Sequence, residues 1–131
     1  MAEACAATGA RVREFHVAPL YPTPESSARG HQWFVEFQAA PKDDAAFVEA
    51  LDRTLQARNV DYEEHRLNDV DLPLPWLVPV PVGTFATLLR QRARETGRGA
   101  QRKLPRVQND RRLADAIVAL LPAAPNRPTK E

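Results

Sequence analysis

The chain has 131 residues, 44% apolar and 27% charged, with a formal net charge of +1. That is enough for one domain with a modest core, and too apolar for a wholly disordered chain. A single cysteine, Cys5, excludes an internal disulfide and a structural zinc site, and no apolar run reaches membrane-spanning length. Such cysteine usage fits a reducing, cytoplasmic setting. Charge is unevenly spread: Arg90–Arg112 holds nine Lys/Arg and two acids, or +7, so the remainder carries −6.

In chain order, Ala2–Thr8 reads as the end of a short helix that Gly9 stops. It lacks the charged start and long apolar core of a signal peptide. Arg11–Ala18 reads as a strand, with Val12, Phe15 and Val17 among charges. Pro19–Gly30, with three prolines and two serines, reads as a loop. His31–Ala39 is the clearest strand: Trp33, Val35 and Phe37 alternate with Gln32, Phe34, Glu36 and Gln38. The two strands are expected to pair antiparallel.

Asp43 caps a helix running to about Arg58, with Phe47, Val48, Leu51 and Leu55 as its apolar stripe. Val60–Arg66 reads as a short strand or connector, and Asn68–Pro75 as a loop. Trp76–Val82 is apolar, but Pro79 and Pro81 restrict it to a sheet edge. Gly83-Thr84 opens a helix to about Glu95, with Phe85, Leu88 and Leu89 facing in. Asn109 or Asp110 caps a last helix bearing Leu113, Ile117, Leu120 and Leu121. The fold class expected is α+β, a small mixed β-sheet of three to four strands with helices packed against it. The domain covers 1–121, and 122–131 is a flexible, proline-rich tail.

Between the last two helices lies Gly97-Arg98-Gly99-Ala100-Gln101-Arg102-Lys103-Leu104-Pro105-Arg106. Two glycines and a proline keep it out of a regular element, and its four cations face no acid. Such a loop brings positive charge to an anion. One reading is nucleic acid or another polyanion, bound through phosphates without sequence information. No aromatic residue interleaves with the cations, and no nucleic-acid motif is present, so that reading is the alternative. The other is a single reactive phosphate, to which a lysine can be delivered and from which it can be withdrawn.

Nothing else in the chain carries chemistry so directly. His16, His31 and His65 lack metal-ligand spacing, and no metal site is expected. Ser26 and Ser27 lack a nucleophile-elbow pattern. Cys5 has no basic neighbour and sits in what reads as a frayed start. Asp61, Glu63, Glu64, Asp69 and Asp71 read as a solvated acidic face. Trp33 and Trp76 read as core or interdomain contacts rather than stacking platforms for a base.

Gly99-Ala100-Gln101-Arg102-Lys103-Leu104-Pro105-Arg106 resembles the Gly-Ala/Gly-x-Gln-x-Lys-x-Pro-Arg segment near the C-terminus of the auxin-responsive Gretchen Hagen family. These are acyl-acid amido synthetases of the acyl-adenylate-forming, firefly-luciferase-like superfamily. Three further segments match in order. Trp33-Phe34-Val35-Glu36-Phe37 is similar to the family's aromatic strand ending in an acid. Asn59, Tyr62 and Arg66 keep its Asn-x-x-Tyr-x-x-x-Arg spacing, and Gly83-Thr84-Phe85 matches its Gly-Thr-Phe.

The resemblance covers only the family's C-terminal domain. It implies that the large N-terminal domain, which binds ATP and the acyl acid, lies elsewhere, and that this chain is a detached lid. That Ala2–Thr8 reads as the end of a helix rather than a whole one agrees with this expectation. Further implications are two-step chemistry with ATP and Mg2+ in the full enzyme, none of it bound by this piece alone. A carboxylic acid is adenylated, and an amino acid then displaces AMP to form an amide. Lys103 would neutralise charge on the α-phosphate, an effect of roughly 3–4 kcal/mol. Gly99, Gln101, Arg102 and Arg106 would complete the phosphate loop. Arg102 replaces the aromatic residue of plant members. With the differing Pro19–Gly30 and Asp69–Pro75 stretches, this points to a bacterial-type relative. The expected partners are the N-terminal adenylating domain and its substrates, with no membrane. The piece alone is expected to be inactive.

Overall fold

The computed structural model describes residues 2–20, 30–58, 74–96, 104, 106–108 and 110–122. Helix α1 (Ala2–Thr8) ends at Gly9, whose φ of 74° is the left-handed geometry that favours glycine after a helix. Strands β1 (Arg11–Leu20) and β2 (Gly30–Ala39) follow, then helix α2 (Asp44–Arg58). Asp43 caps α2 as expected: its Oδ1 accepts from the Ala45 amide at 3.0 Å. Strand β3 (Trp76–Val80), helix α3 (Thr84–Thr96) and helix α4 (Arg112–Leu120) complete the described elements.

The sheet order is β1-β2-β3. β1 runs antiparallel to β2, and β3 lies parallel to it on the other side. A mixed sheet with helices against it is an α+β fold, as the sequence pattern predicts. β3 is the edge strand that its prolines require: Pro79 stands opposite Val35 and has a partner strand on one side only.

β2 is the centre of the molecule, and both of its faces are covered. Trp33, Val35 and Phe37 pack towards α1 and α2, against Ala4, Phe47, Ala50 and Leu51. Phe37 and Phe47 meet edge-to-face at 5.2 Å, a favoured aromatic arrangement. Phe34 points the other way, with Val78 and Val80 of β3, into Phe85, Leu88, Leu113, Ala114 and Ile117 of α3 and α4. Every residue from Gln32 to Phe37 is therefore buried, including Glu36 at 4% exposure.

Three expectations change. Pro19, Leu20 and Gly30, read as loop, belong to the strands. Proline is tolerated because the Val17 N–H points outwards from β2, and two residues on the missing Pro19 donor lies on that outer side. Arg111, not Asn109 or Asp110, occupies the N-cap of α4, although Asp110 Oδ1 accepts from the Arg112 amide at 3.0 Å. Cys5 is not frayed but half-buried against the first core cluster. Val60–Arg66, the acidic run from Asp61 to Asp71, and the 123–131 part of the tail lie outside the described residues, as does His65.

Candidate functional site

Two of the sequence segments singled out above meet at one carboxylate. Glu36 lies within the aromatic run of β2 on the face shared with Phe34, and its Oε1 accepts from the Phe85 amide at 3.1 Å. Phe85 is the second residue of α3. Gly83 turns the chain into that helix with φ 97°. The Thr84 amide and hydroxyl both donate to the Pro81 carbonyl, at 3.2 and 2.7 Å. An anionic acceptor at this end complements the helix dipole. Gly83-Thr84-Phe85 and Trp33–Phe37 thus form one junction between sheet and helix.

The sheet loses its regular pairing beside this junction. The register slips between Arg11 and Val12 and again between Val12 and Glu14, leaving Gln38 of β2 and Arg13 of β1 without one-to-one partners. Bulges of this kind re-aim side chains. Arg13 Nε reaches Glu36 Oε2 at 3.2 Å, so both oxygens of the buried carboxylate are engaged. Glu14 then stands directly opposite Glu36 across the strand pair.

Here the sheet end opens into a groove of about 730 Å³. Glu14, Glu36 and Gln38 lie on the sheet side, Phe85, Ala86 and Leu89 on the α3 side, and Leu104 and Arg106 close the third side. The downstream end of the lysine loop therefore forms one wall. Leu104 is half-buried and packs on the second core cluster. Val17 N donates to the Arg106 carbonyl at 2.7 Å, and Gln108 N to the Val17 carbonyl at 3.2 Å. Val107 pairs in parallel with Val17 as an isolated bridge. Arg106 Nε donates to Glu14 Oε1 at 2.8 Å, and its guanidinium lies 5.0 Å from the centre of the Phe15 ring.

Of the residues assigned to the phosphate loop from sequence, Arg106 is in this wall. Gly99, Gln101, Arg102 and Lys103 lie outside the described residues, as do Asn59, Tyr62 and Arg66. Sequence reasoning did not single out Arg13 or Glu14. Glu36 appeared only as the last acid of a strand motif, although an acid among apolar neighbours is itself a signal, since a buried charge needs partners. Nothing local marks Glu14, whose partner Arg106 is 92 residues away.

The remaining candidates fall into structural places. His16 is fully buried. His31, opposite Pro19 at the far end of β2, has its pKa lowered below the usual 6.5 by burial. Arg111 donates to the Pro19 carbonyl at 3.1 Å and pairs with Asp115 at 3.3 Å. Trp33 is core and stacks on Phe15 at 5.9 Å. Among the described residues, no cluster of three or more His, Cys, Asp or Glu side chains could hold a metal ion. No helix among them is long and apolar enough to cross a membrane.

Comparison with known proteins bears on this arrangement. Residues 1–112 match the model of the GH3 family C-terminal domain. Among solved structures, the chain is similar to a GH3.15 acyl acid amido synthetase, with a TM-score of 0.68 and 14% identity over 98% of this chain. It is also similar to AtGH3.15 acyl acid amido synthetase in complex with 2,4-DB, with a TM-score of 0.64 and 16% identity over 92% of this chain. The chain spans 23% and 22% of those two structures' own length. No curated protein matches its sequence. The family match over most of the chain, together with the shared fold, places it: the chain belongs to the GH3 family, as its C-terminal domain.

Proposed function

We propose that this chain is the lid of an ATP-dependent acyl-acid amido synthetase, working with an N-terminal adenylating domain. The observation that carries the proposal is the GH3 C-terminal match over residues 1–112, within which the Gly99–Arg106 lysine segment falls. In this reading the partner domain holds ATP, with the Mg2+ that its phosphates bring, and a carboxylic acid. The acid is adenylated with release of pyrophosphate, and an amino acid amine then displaces AMP to give the amide. Lys103 supplies a positive charge beside the α-phosphate during the first step. A preorganised charge there acts where negative charge develops and water is excluded. The lid turns away before the second step. The adenylation chemistry belongs to the partner, so the chain alone turns nothing over.

The test is ATP–pyrophosphate exchange in the enzyme that combines this domain with its adenylating domain. Lys103→Ala is expected to lower the exchange rate roughly 10²- to 10³-fold, the effect of losing one oxyanion-hole-type donor. An unchanged rate removes Lys103 from its role. Acid-dependent AMP release by the 131-residue chain alone would contradict the lid reading.

The competing reading, a polyanion-binding module using Arg90–Arg112, has less support from the geometry. Arg106 and Arg111 are engaged by Glu14, by Asp115 and by the Pro19 carbonyl. Steeply salt-dependent, submicromolar binding of a mixed-sequence oligonucleotide would revive it.

A further inference from the structure

We propose that Glu14 is a positioning residue for the lysine loop, acting through Arg106. The inference rests on the lid reading above and gives Arg106 a task other than contact with phosphate.

Two carboxylates, Glu14 and Glu36, face each other across β1 and β2. Like charges placed directly opposite repel, so each needs a cation of its own. Glu36 has Arg13, supplied by the bulge in the neighbouring strand. Glu14 has Arg106, supplied by the far end of the lysine loop. Glu14 is itself held in place, because its Oε1 also accepts from the Phe15 amide at 3.1 Å.

Each carboxylate holds one end of the same unit. Glu36 binds the Phe85 amide, where α3 begins. Glu14 binds Arg106, where the loop after α3 returns to the sheet. The stretch between them contains α3 and the whole lysine loop. Arg106 stands on the Phe15 ring, which stacks on the core residue Trp33. Its carbonyl and the Gln108 amide are fastened to Val17 on the same strand. Leu104, two residues before Arg106 and directly after Lys103, lines the groove with Glu14 and Glu36. The facing carboxylates therefore fix where α3 begins and where Arg106, three residues after Lys103, meets the sheet. A guanidinium committed to Glu14 and an aromatic face acts on the reaction through the placement of its neighbours.

The experiment measures ATP–pyrophosphate exchange in the enzyme combining this domain with its adenylating domain. The variants are Glu14→Gln, Arg106→Gln, the double variant, and the charge swap E14R/R106E. Positioning predicts that each single variant lowers kcat by about threefold to tenfold, the range for a partly exposed ion pair assisted by an aromatic contact. The KM for ATP should stay within about twofold, since a positioning role gives neither residue a contact with the nucleotide. The double variant should be no worse than either single one, and the swap should restore most of the rate. Direct phosphate contact predicts otherwise: Arg106→Gln raises the KM for ATP, Glu14→Gln has no effect, and the swap rescues nothing. That pattern overturns the proposal.

Amide hydrogen exchange on the 131-residue chain separates this inference from the lid reading. Glu14→Gln and Arg106→Gln should speed exchange at Val17 and Gln108 by the same about threefold to tenfold, leaving the amides of β2 protected. If Lys103→Ala leaves adenylation intact while these two amides still loosen, the lid reading fails and the anchor stands. If Lys103→Ala abolishes adenylation while Glu14→Gln alters neither kcat nor the two amides, the anchor is wrong and the lid reading stands.

Discussion

Replacing Glu36 by alanine tests the junction between the aromatic strand and the helix that precedes the lysine loop. Glu36 is 4% exposed, and both its oxygens are used, one by the Phe85 amide and one by Arg13. Truncation leaves the Phe85 amide without its side-chain acceptor at the wall of the groove, and Phe85 itself is only 6% exposed. A buried donor left unmade costs about 1–3 kcal/mol. Removing an anion from the first turn of α3 adds about 0.3–1 kcal/mol. Arg13 is half-exposed and turns to water at small cost. Together these come to about 1–4 kcal/mol, or a fall in Tm of roughly 5–15 °C for a domain of this size. Glu36→Gln keeps an oxygen in place for Phe85 and loses only the charge, so it should cost about 1 kcal/mol. Urea unfolding with the m-value monitored, supported by thermal melts, measures both. A Glu36→Ala loss below about 0.5 kcal/mol would refute the reasoning, because the cost of an unmade buried bond cannot be that small. Equal losses for the two variants would show that charge, not the hydrogen bond, holds the junction.

Gly83→Ala should destabilise by about 1–2 kcal/mol through backbone strain alone, because φ is +97° and a Cβ there would meet nothing within 4 Å; Gly83→Asn should cost less, and a melt of both variants checks the order. Gln32 is 2% exposed, and its Oε1 has no hydrogen-bond partner among the described residues, so Gln32→Met should be neutral or stabilise by up to about 1 kcal/mol in urea unfolding. A clear loss would mean that this oxygen is satisfied in solution. Burial lowers the pKa of His31, so the unfolded chain binds its proton more readily than the folded one. The His31 contribution to stability is therefore present above pH 6.5 and is lost as pH falls from there through the folded pKa. The wild-type stability curve should drop more steeply than that of His31→Asn between about pH 7 and 5, and parallel curves would refute it.

Local pattern alone marked most of the elements. Period-2 alternation gave β2, Asp43 and the Phe47–Leu51–Leu55 stripe gave α2, and prolines at 79 and 81 confined β3 to an edge. These features are legible because they depend on neighbours within a few residues. The four ordered segments that resemble the family are legible for the same reason, since each is a short run of side chains.

Tertiary structure decided what those runs touch. Alternation cannot say whether the face carrying Phe34 and Glu36 meets solvent or a second helical layer; α3 and α4 covering it made Glu36 a buried carboxylate. The bulge that brings Arg13 to Glu36 is a property of two strands in register, not of either strand alone. The pairing of Glu14 with Arg106 spans 92 residues, and a charge at the surface of one strand carries no mark of the chain that will return to it. Ion pairs and cross-sheet hydrogen bonds form where folding brings groups together in a partly dry environment. Short motifs therefore marked Glu36, Gly83-Thr84-Phe85 and Arg106, and only packing added Arg13 and Glu14 and brought these groups together.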